Sequence, residues 1–337
     1  MAINMKFIVL LLTIFMMANG HCGPAKPQEA QIRIRTTFNI KNSFCNIKTN
    51  GVIGLDNRKS AFEGRGLGTS STNALLFLEN GINTVSIEIG ALSWFSKDNL
   101  TSEDRNTFSK DATCKLDLVS FNHNQKKTLT SIEVRIGEDG VPIGINNKGK
   151  AIIGSEIIAE SVEEGHIDIH YFNKFYFPKK MKLYAFSEQV IVNNIPEWEW
   201  VNSSPYTNET EQLSKLRAAY ARMAEIINSR DRKQLKKYDH IALKAWATST
   251  GSSEDEILSS QYPEKEFETG KIKIEPISWS DYEVRVMNKG RIVQLYNKSK
   301  PTFSPLTYYF TTDEGDKLLS YFAPMFSLIN GEFVPVI

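Results

Sequence analysis

Between Thr210 and Trp246 the chain runs without a Gly or Pro, and its apolar residues fall at Leu213, Leu216, Tyr220, Met223 and Ile227. Those steps of 3, 4, 3 and 4 are the period of one buried helix face. Lys215, Arg217, Arg222 and Glu225 occupy the opposite face. This is the one long helical signal in a chain that otherwise reads as strands. The residues after it read as sheet, and a sheet with one apolar face needs something to pack on. The helix is therefore expected to organise a second domain. Its segment Arg230 to Lys237 is locally basic but has no aromatic residues interleaved for base stacking. It reads as a solvated helix junction. A net charge of +1 supplies no general attraction for nucleic acid or an anionic membrane.

Before that helix the signals are almost all β. Gln31 to Ile40 alternates, with Ile32, Ile34, Thr36 and Phe38 on one side. Asn80-Gly81 accepts the positive φ of a type I′ turn, so the runs on either side of it predict a hairpin. Cys114 to Phe121, Leu129 to Ile136, His166 to Phe172 and Met181 to Val192 predict further strands. The Gly- and Ser-rich stretch Asn57 to Thr72 reads as a loop, since Gly64, Gly66 and Gly68 lack phosphate-binding spacing. Lys97 to Asp111 reads as a second polar loop. Strands joined by polar turns, with no amphipathic helix between them, argue for an antiparallel β-sandwich.

A chain of 337 residues suits two domains. Ile195 to Asn208, with two prolines and a Ser pair, is the linker. The expected division is a signal peptide at 1–20, a sandwich at 21–195, a linker at 196–208 and an α+β domain at 209–337. The fold class is mainly β: a jelly-roll-like N-terminal sandwich, then helices packed on a curved antiparallel sheet. In the C-terminal part, Ser253 and Glu256 form a capping box, and strand runs extend from Lys271 to the end with a turn at Asn330-Gly331.

Lys6, the apolar run Phe7 to Met17 and Ala18-Asn19-Gly20 form a secretory signal with a small-x-small cleavage site. The run is about half the ~20 residues that span a bilayer. His21 stands where a lipoprotein would carry a small residue before Cys22, which favours cleavage over lipidation. A periplasmic or secreted protein without a retained span is expected. In an oxidising compartment Cys45 and Cys114, both beside strand-like runs, are the natural pair. Three cysteines still allow three single bridges. Closing the Cys45–Cys114 loop contributes at most ~4 kcal/mol.

Few residues suggest chemistry. On a strand, His166, Asp168 and His170 would share a face and offer metal ligands. The same alternation also fits the wet face of a half-buried strand, and same-face Cβ atoms ~7 Å apart suit three ligands poorly. No nucleophile elbow occurs, and no dinucleotide, P-loop or EF-hand motif calls for a cofactor. Asp239, His240 and Asp281 are the available acid–base groups, though an Asp before a short helix is more often an N-cap. Trp198 and Trp200 either seal the interface between the halves or form an exposed platform for sugar or a protein partner.

These runs carry two architectural resemblances. Phe77 to Ile89 resembles a turn of galactose-binding-like jelly rolls, and the order of elements after Thr210 resembles the nuclear-transport-factor-2-like cone. With its signal peptide, β-rich two-domain body and lack of a catalytic motif, the chain is similar in character to periplasmic immunity proteins of bacterial secreted effectors. That resemblance implies a non-enzymatic protein that neutralises an effector or toxin by stoichiometric binding. A glycan-binding sandwich protein and a cone-fold hydrolase or isomerase are the alternatives.

Overall fold

The alternation at the start of the chain sends Ile34, Thr36, Phe38 and Ile40 inward and leaves the residues between them half or fully exposed. The computed structural model describes residues 32–122, 125–311, 315 and 317–337. The signal-like segment and Cys22 lie outside the described residues. The N-terminal half runs β1 (Arg33–Lys41), β2 (Phe44–Thr49), β3 (Val52–Asp56), α1 (Arg58–Phe62), β4 (Gly68–Asn73), β5 (Gly81–Gly90) and α2 (Ser102–Arg105). It continues with β6 (Thr113–Asn122), β7 (Gln125–Ile136), β8 (Pro142–Asn146), β9 (Ala151–Ile152), β10 (Ser155–Ile158) and β11 (Lys182–Val192).

These strands form two antiparallel sheets, ordered β4-β1-β6-β7-β8-β9 and β10-β11-β5-β2-β3. One apolar cluster draws on both: Ile34, Leu116 and Ile132 from the first sheet, Ile47, Ile87 and Phe186 from the second. Cys45 on β2 and Cys114 on β6 are disulfide-bonded, with Cα atoms 6.4 Å apart, so the bridge joins the two sheets. The chain passes from one sheet to the other between β9 and β10. A Cβ on Gly154 would lie 2.7 Å from the Phe186 ring, so a residue without a side chain lets the crossing hug that buried ring.

The C-terminal half runs α3 (Thr210–Ser229), α4 (Arg232–Tyr238), α5 (His240–Thr250), α6 (Glu254–Gln261), α7 (Glu264–Glu268), β12 (Tyr282–Met287) and β13 (Ile292–Asn297). It ends with β14 (Leu306–Thr311), β15 (Lys317–Phe322), β16 (Phe326–Ile329) and β17 (Glu332–Pro335). A four-stranded sheet, β12-β13-β16-β17, stands beside the pair β14-β15. Leu216, Tyr220, Met223 and Ile227 of α3 pack with Val293, Leu295, Phe326 and Phe333 of the sheet. The Tyr220 hydroxyl donates to Pro324 O and accepts from Leu295 N, so this buried phenol joins helix to sheet through both its roles.

The single long helix expected over Thr210 to Trp246 is three helices. Arg230 takes a left-handed conformation at φ 59°, ending α3, and the Asp231 carboxylate accepts from Gln234 N to start α4. The predicted hairpin at Asn80-Gly81 does not form. Leu75 to Phe77 is a 3₁₀ turn with all three side chains buried, and β5 pairs with β2 and β11 instead. The expected loop Asn57 to Thr72 contains α1 and β4. Lys271 to Trp279 forms no strand beyond a single bridge between Ile274 and Tyr308.

Residues Gln31–Ile337 form one compact unit. Within it, one apolar cluster lies wholly between Tyr206 and Phe333, while the cluster of the N-terminal sheets also takes in Trp198, Trp200, Met287, Ile292 and Val336.

Candidate functional site

The Trp198 and Trp200 side chains are 5% and 1% exposed, so the platform reading of this pair is corrected. Each indole N–H donates inward, Trp198 to Leu75 O at 3.0 Å and Trp200 to Leu76 O at 3.1 Å. Leu75 O already accepts the turn's own bond from Leu78 N at 3.3 Å, and the indoles add a hydrogen bond to each carbonyl while covering apolar surface.

Beside this pair lies a polar seam that no sequence motif announced. Glu79 Oε1 accepts from Arg291 Nη2 at 2.7 Å and from Lys289 Nζ. Arg291 also donates to Val201 O at 2.9 Å and lies over the Trp200 ring, 5.2 Å from its centroid. Asn83 accepts from Glu79 N and donates back to Glu79 O, while Asn50 donates to Asn83 and to Phe77 O. Asn288 reaches the same Phe77 carbonyl from the turn before β13. Residues distant in sequence thus share one hydrogen-bonded network. The Arg291 hydrogen bond holds the Glu79 carboxyl below its usual range, against the opposing effect of burial.

Replacing Glu79 with Gln is expected to destabilise the fold by about 2–3 kcal/mol at pH 7, because it leaves Arg291 enclosed without its counter-charge. A carboxyl depressed in the folded state stabilises above its unfolded pKa, and that contribution fades as pH falls through the folded value. Urea titrations at pH 7 and pH 3.5 should therefore show the two proteins converging in acid. A pH-independent difference would mean the ion pair contributes nothing.

The strand expected at His166 to Phe172 is absent. Gly165 has φ 98°, and the Asp168 carboxylate accepts from His170 N to open a 3₁₀ turn over Ile169–Tyr171. The period-two alternation therefore never becomes a shared face. His166 turns instead to other partners, with Nδ1 2.9 Å from Asp281 Oδ1 and Nε2 3.2 Å from Glu163 Oε2. Among the described residues no group of three or more His, Cys, Asp and Glu side chains is placed to hold a metal ion. Together with the Glu160–Arg285 pair, His166 and Asp281 fasten the segment after β10 to β12 and its approach.

Asp239 is the candidate that the fold places most distinctively. It occupies the N-cap position of α5 but makes no side-chain cap hydrogen bond, contrary to the expected capping role. It is 2% exposed and lines a cavity of about 300 Å³ with Phe77, Trp246, Gln261, Tyr262 and Tyr321. Burial pushes its carboxyl up to about 7, and a hydrogen bond with Tyr262 opposes that shift only in part. Burial and the neighbouring Asp239 push the Tyr262 phenol well above its ordinary value. His240, the next residue, is exposed.

No family model, no curated protein and no solved structure matches this chain.

Proposed function

We infer that this chain is an exported binding protein that acts by stoichiometric contact with a protein partner, as immunity proteins do against secreted antibacterial effectors. The observation that carries this reading is a run of exposed apolar side chains along β8, β9 and β10. Val141, Ile143, Ile153 and Ile158 are 40%, 53%, 97% and 64% exposed. They fall on or beside β8, β9 and β10, and β9 and β10 are the end strands of their sheets. Apolar side chains on open strand edges are a liability in a free protein and an asset in recognition. The disulfide between the sheets supports an oxidising compartment and holds both edges on one frame.

On this reading the first two sheets form a sandwich and the C-terminal helices fill a curved sheet, with the boundary near Pro196 to Asn208. The glycan-binding alternative relied on exposed tryptophans, and both are buried. The enzyme alternative needs ionisable groups suited to proton exchange in one cavity. Asp239 is paired there with a phenol whose pKa lies far above neutrality, which suits holding a proton more than passing it on.

The triple variant Ile143→Asp, Ile153→Asp and Ile158→Asp tests the proposal, since all three positions are exposed and should tolerate charge. Wild-type protein is expected to retain one periplasmic or secreted protein at 1:1 stoichiometry, with the variant binding it at least 100-fold more weakly. A partner held equally by both would remove the edge from the interface. Failure of the wild type to saturate with any protein would overturn the binding role.

A further inference from the structure

We propose that the cavity beside Asp239 is a binding site for a small organic ammonium ion. Three features converge there. The lining is rich in aromatic side chains, Phe77, Trp246, Tyr262, Tyr321 and Phe322, the residue types that attract a cation. Asp239 is buried within that lining and, among the described residues, supplies its one side-chain carboxyl. That carboxyl is held by the Tyr262 phenol, and among the described residues no cationic group contributes to its titration. A buried carboxylate ordinarily has a positive partner, as Glu79 has in Arg291. Here the place for that charge is a cavity of about 300 Å³, at the small end of the range for ligand sites.

The surrounding groups explain why the charge must come from outside. Arg232 is the nearby basic side chain, and its guanidinium is committed to Tyr262 O at 3.0 Å and Ser259 Oγ at 2.8 Å. His240 is exposed to solvent, and the Tyr238 hydroxyl donates to Ala219 O. Tyr262 and Tyr321 both have raised pKa values and stay neutral at physiological pH. Among the described residues of the lining, an ammonium ion entering the cavity would meet Asp239 as the only anionic side chain, beside aromatic residues. Gln261, the remaining polar lining residue, can orient a hydroxyl or ester on the ligand. This site is separate from the apolar edge at residues 141–158 and does not depend on it.

Cation binding requires the ionised carboxyl, so it should displace a proton. With the free Asp239 carboxyl near 7, affinity should rise about tenfold between pH 6 and pH 8. Choline, tetramethylammonium and the uncharged choline isostere 3,3-dimethyl-1-butanol are the probes. Titration calorimetry of the full chain, repeated in buffers of different ionisation enthalpy, reads both affinity and proton release. Trp246 fluorescence gives an independent signal. The expected result is that the two cations bind, the neutral isostere binds at least tenfold more weakly, and Asp239→Asn loses choline binding at least tenfold. Equal binding of choline and its isostere, wild-type affinity in Asp239→Asn, or no binding of either cation at millimolar concentration would overturn the proposal. Should Asp239→Asn fail to fold, the half-buried Trp246→Leu takes its place: a tenfold loss supports the cage, and unchanged affinity overturns it. Choline-headgroup lipid in micelles, run alongside, separates a lipid source from a free cation. Tighter binding of the micellar form would assign the site to headgroups, and tighter binding of free choline would assign it to the soluble ion.

Discussion

Asp239→Asn is expected to make the protein more stable above neutral pH. Asp239 is 2% exposed, and burial raises its folded-state pKa to about 7. Below pH ~4 the carboxyl is protonated in both folded and unfolded chains and contributes no pH dependence. Between ~4 and 7 the unfolded chain has released this proton while the folded chain retains it, so stability falls as pH rises. Above 7 both states are ionised and the penalty is complete, at about 4 kcal/mol. Asparagine keeps the shape and a hydrogen-bonding group for Tyr262 but carries no charge. Urea unfolding of both proteins at pH 4, 6 and 8 should show a gap that opens with pH and levels off near neutrality. A gap of constant size would mean that Asp239 is ionised throughout. That result would also remove the proton release expected on ammonium binding.

Cys45→Ser with Cys114→Ser is expected to lower stability by about 4 kcal/mol, the loop-closure entropy of a bridge spanning 69 residues. Both cysteines are fully buried and join strands of different sheets, so the bridge limits the freedom gained whenever one of those sheets opens. The C-terminal cluster between Tyr206 and Phe333 contains neither cysteine. Hydrogen exchange should therefore speed up most at Leu116, Leu118, Ile87 and Ile89 and much less at Tyr220 and Leu295. Uniform acceleration would mean that the two clusters unfold as one. Mass spectrometry of the non-reduced parent provides the reference, through the linked peptide pair.

Strand alternation was legible wherever one face is buried and the other wet. Arg33–Lys41, Thr113–Asn122 and Lys182–Val192 all sit within a residue or two of their expected positions. The Cys45–Cys114 bridge was also legible, from compartment and flanking strands. The misreadings arose where a local pattern fits more than one structure. Leu75 to Leu78 is apolar at every position, which period alone cannot assign, and burial beneath two tryptophans makes it a 3₁₀ turn. His166 to His170 alternates like a strand, yet Asp168 spends its carboxylate on a local backbone N–H.

The site lay further from view than the fold. Asp239 was visible as a candidate, but its distinction comes from Phe77, Tyr262 and Tyr321, which stand far apart in sequence. The Glu79–Arg291 pair was invisible for the same reason: 212 residues separate its members. Neither residue sits in a motif, and only tertiary packing brings them together.

The position of β5 in its sheet constrains the order of assembly. Its neighbours are β2, which precedes it, and β11, whose residues 184–192 pair with residues 81–89. During emergence from the N-terminal end, β5 can dock on β2 early, but its other edge stays open until about a hundred further residues have arrived. Meanwhile β6, β7 and β8 close as successive local pairs in the other sheet. The half-built intermediate therefore presents one long unpaired strand edge, the template on which unwanted intermolecular pairing begins. A holding chaperone that covers the edge of β5 until β11 arrives would raise the yield of this chain more than one acting on the helices of its C-terminal half.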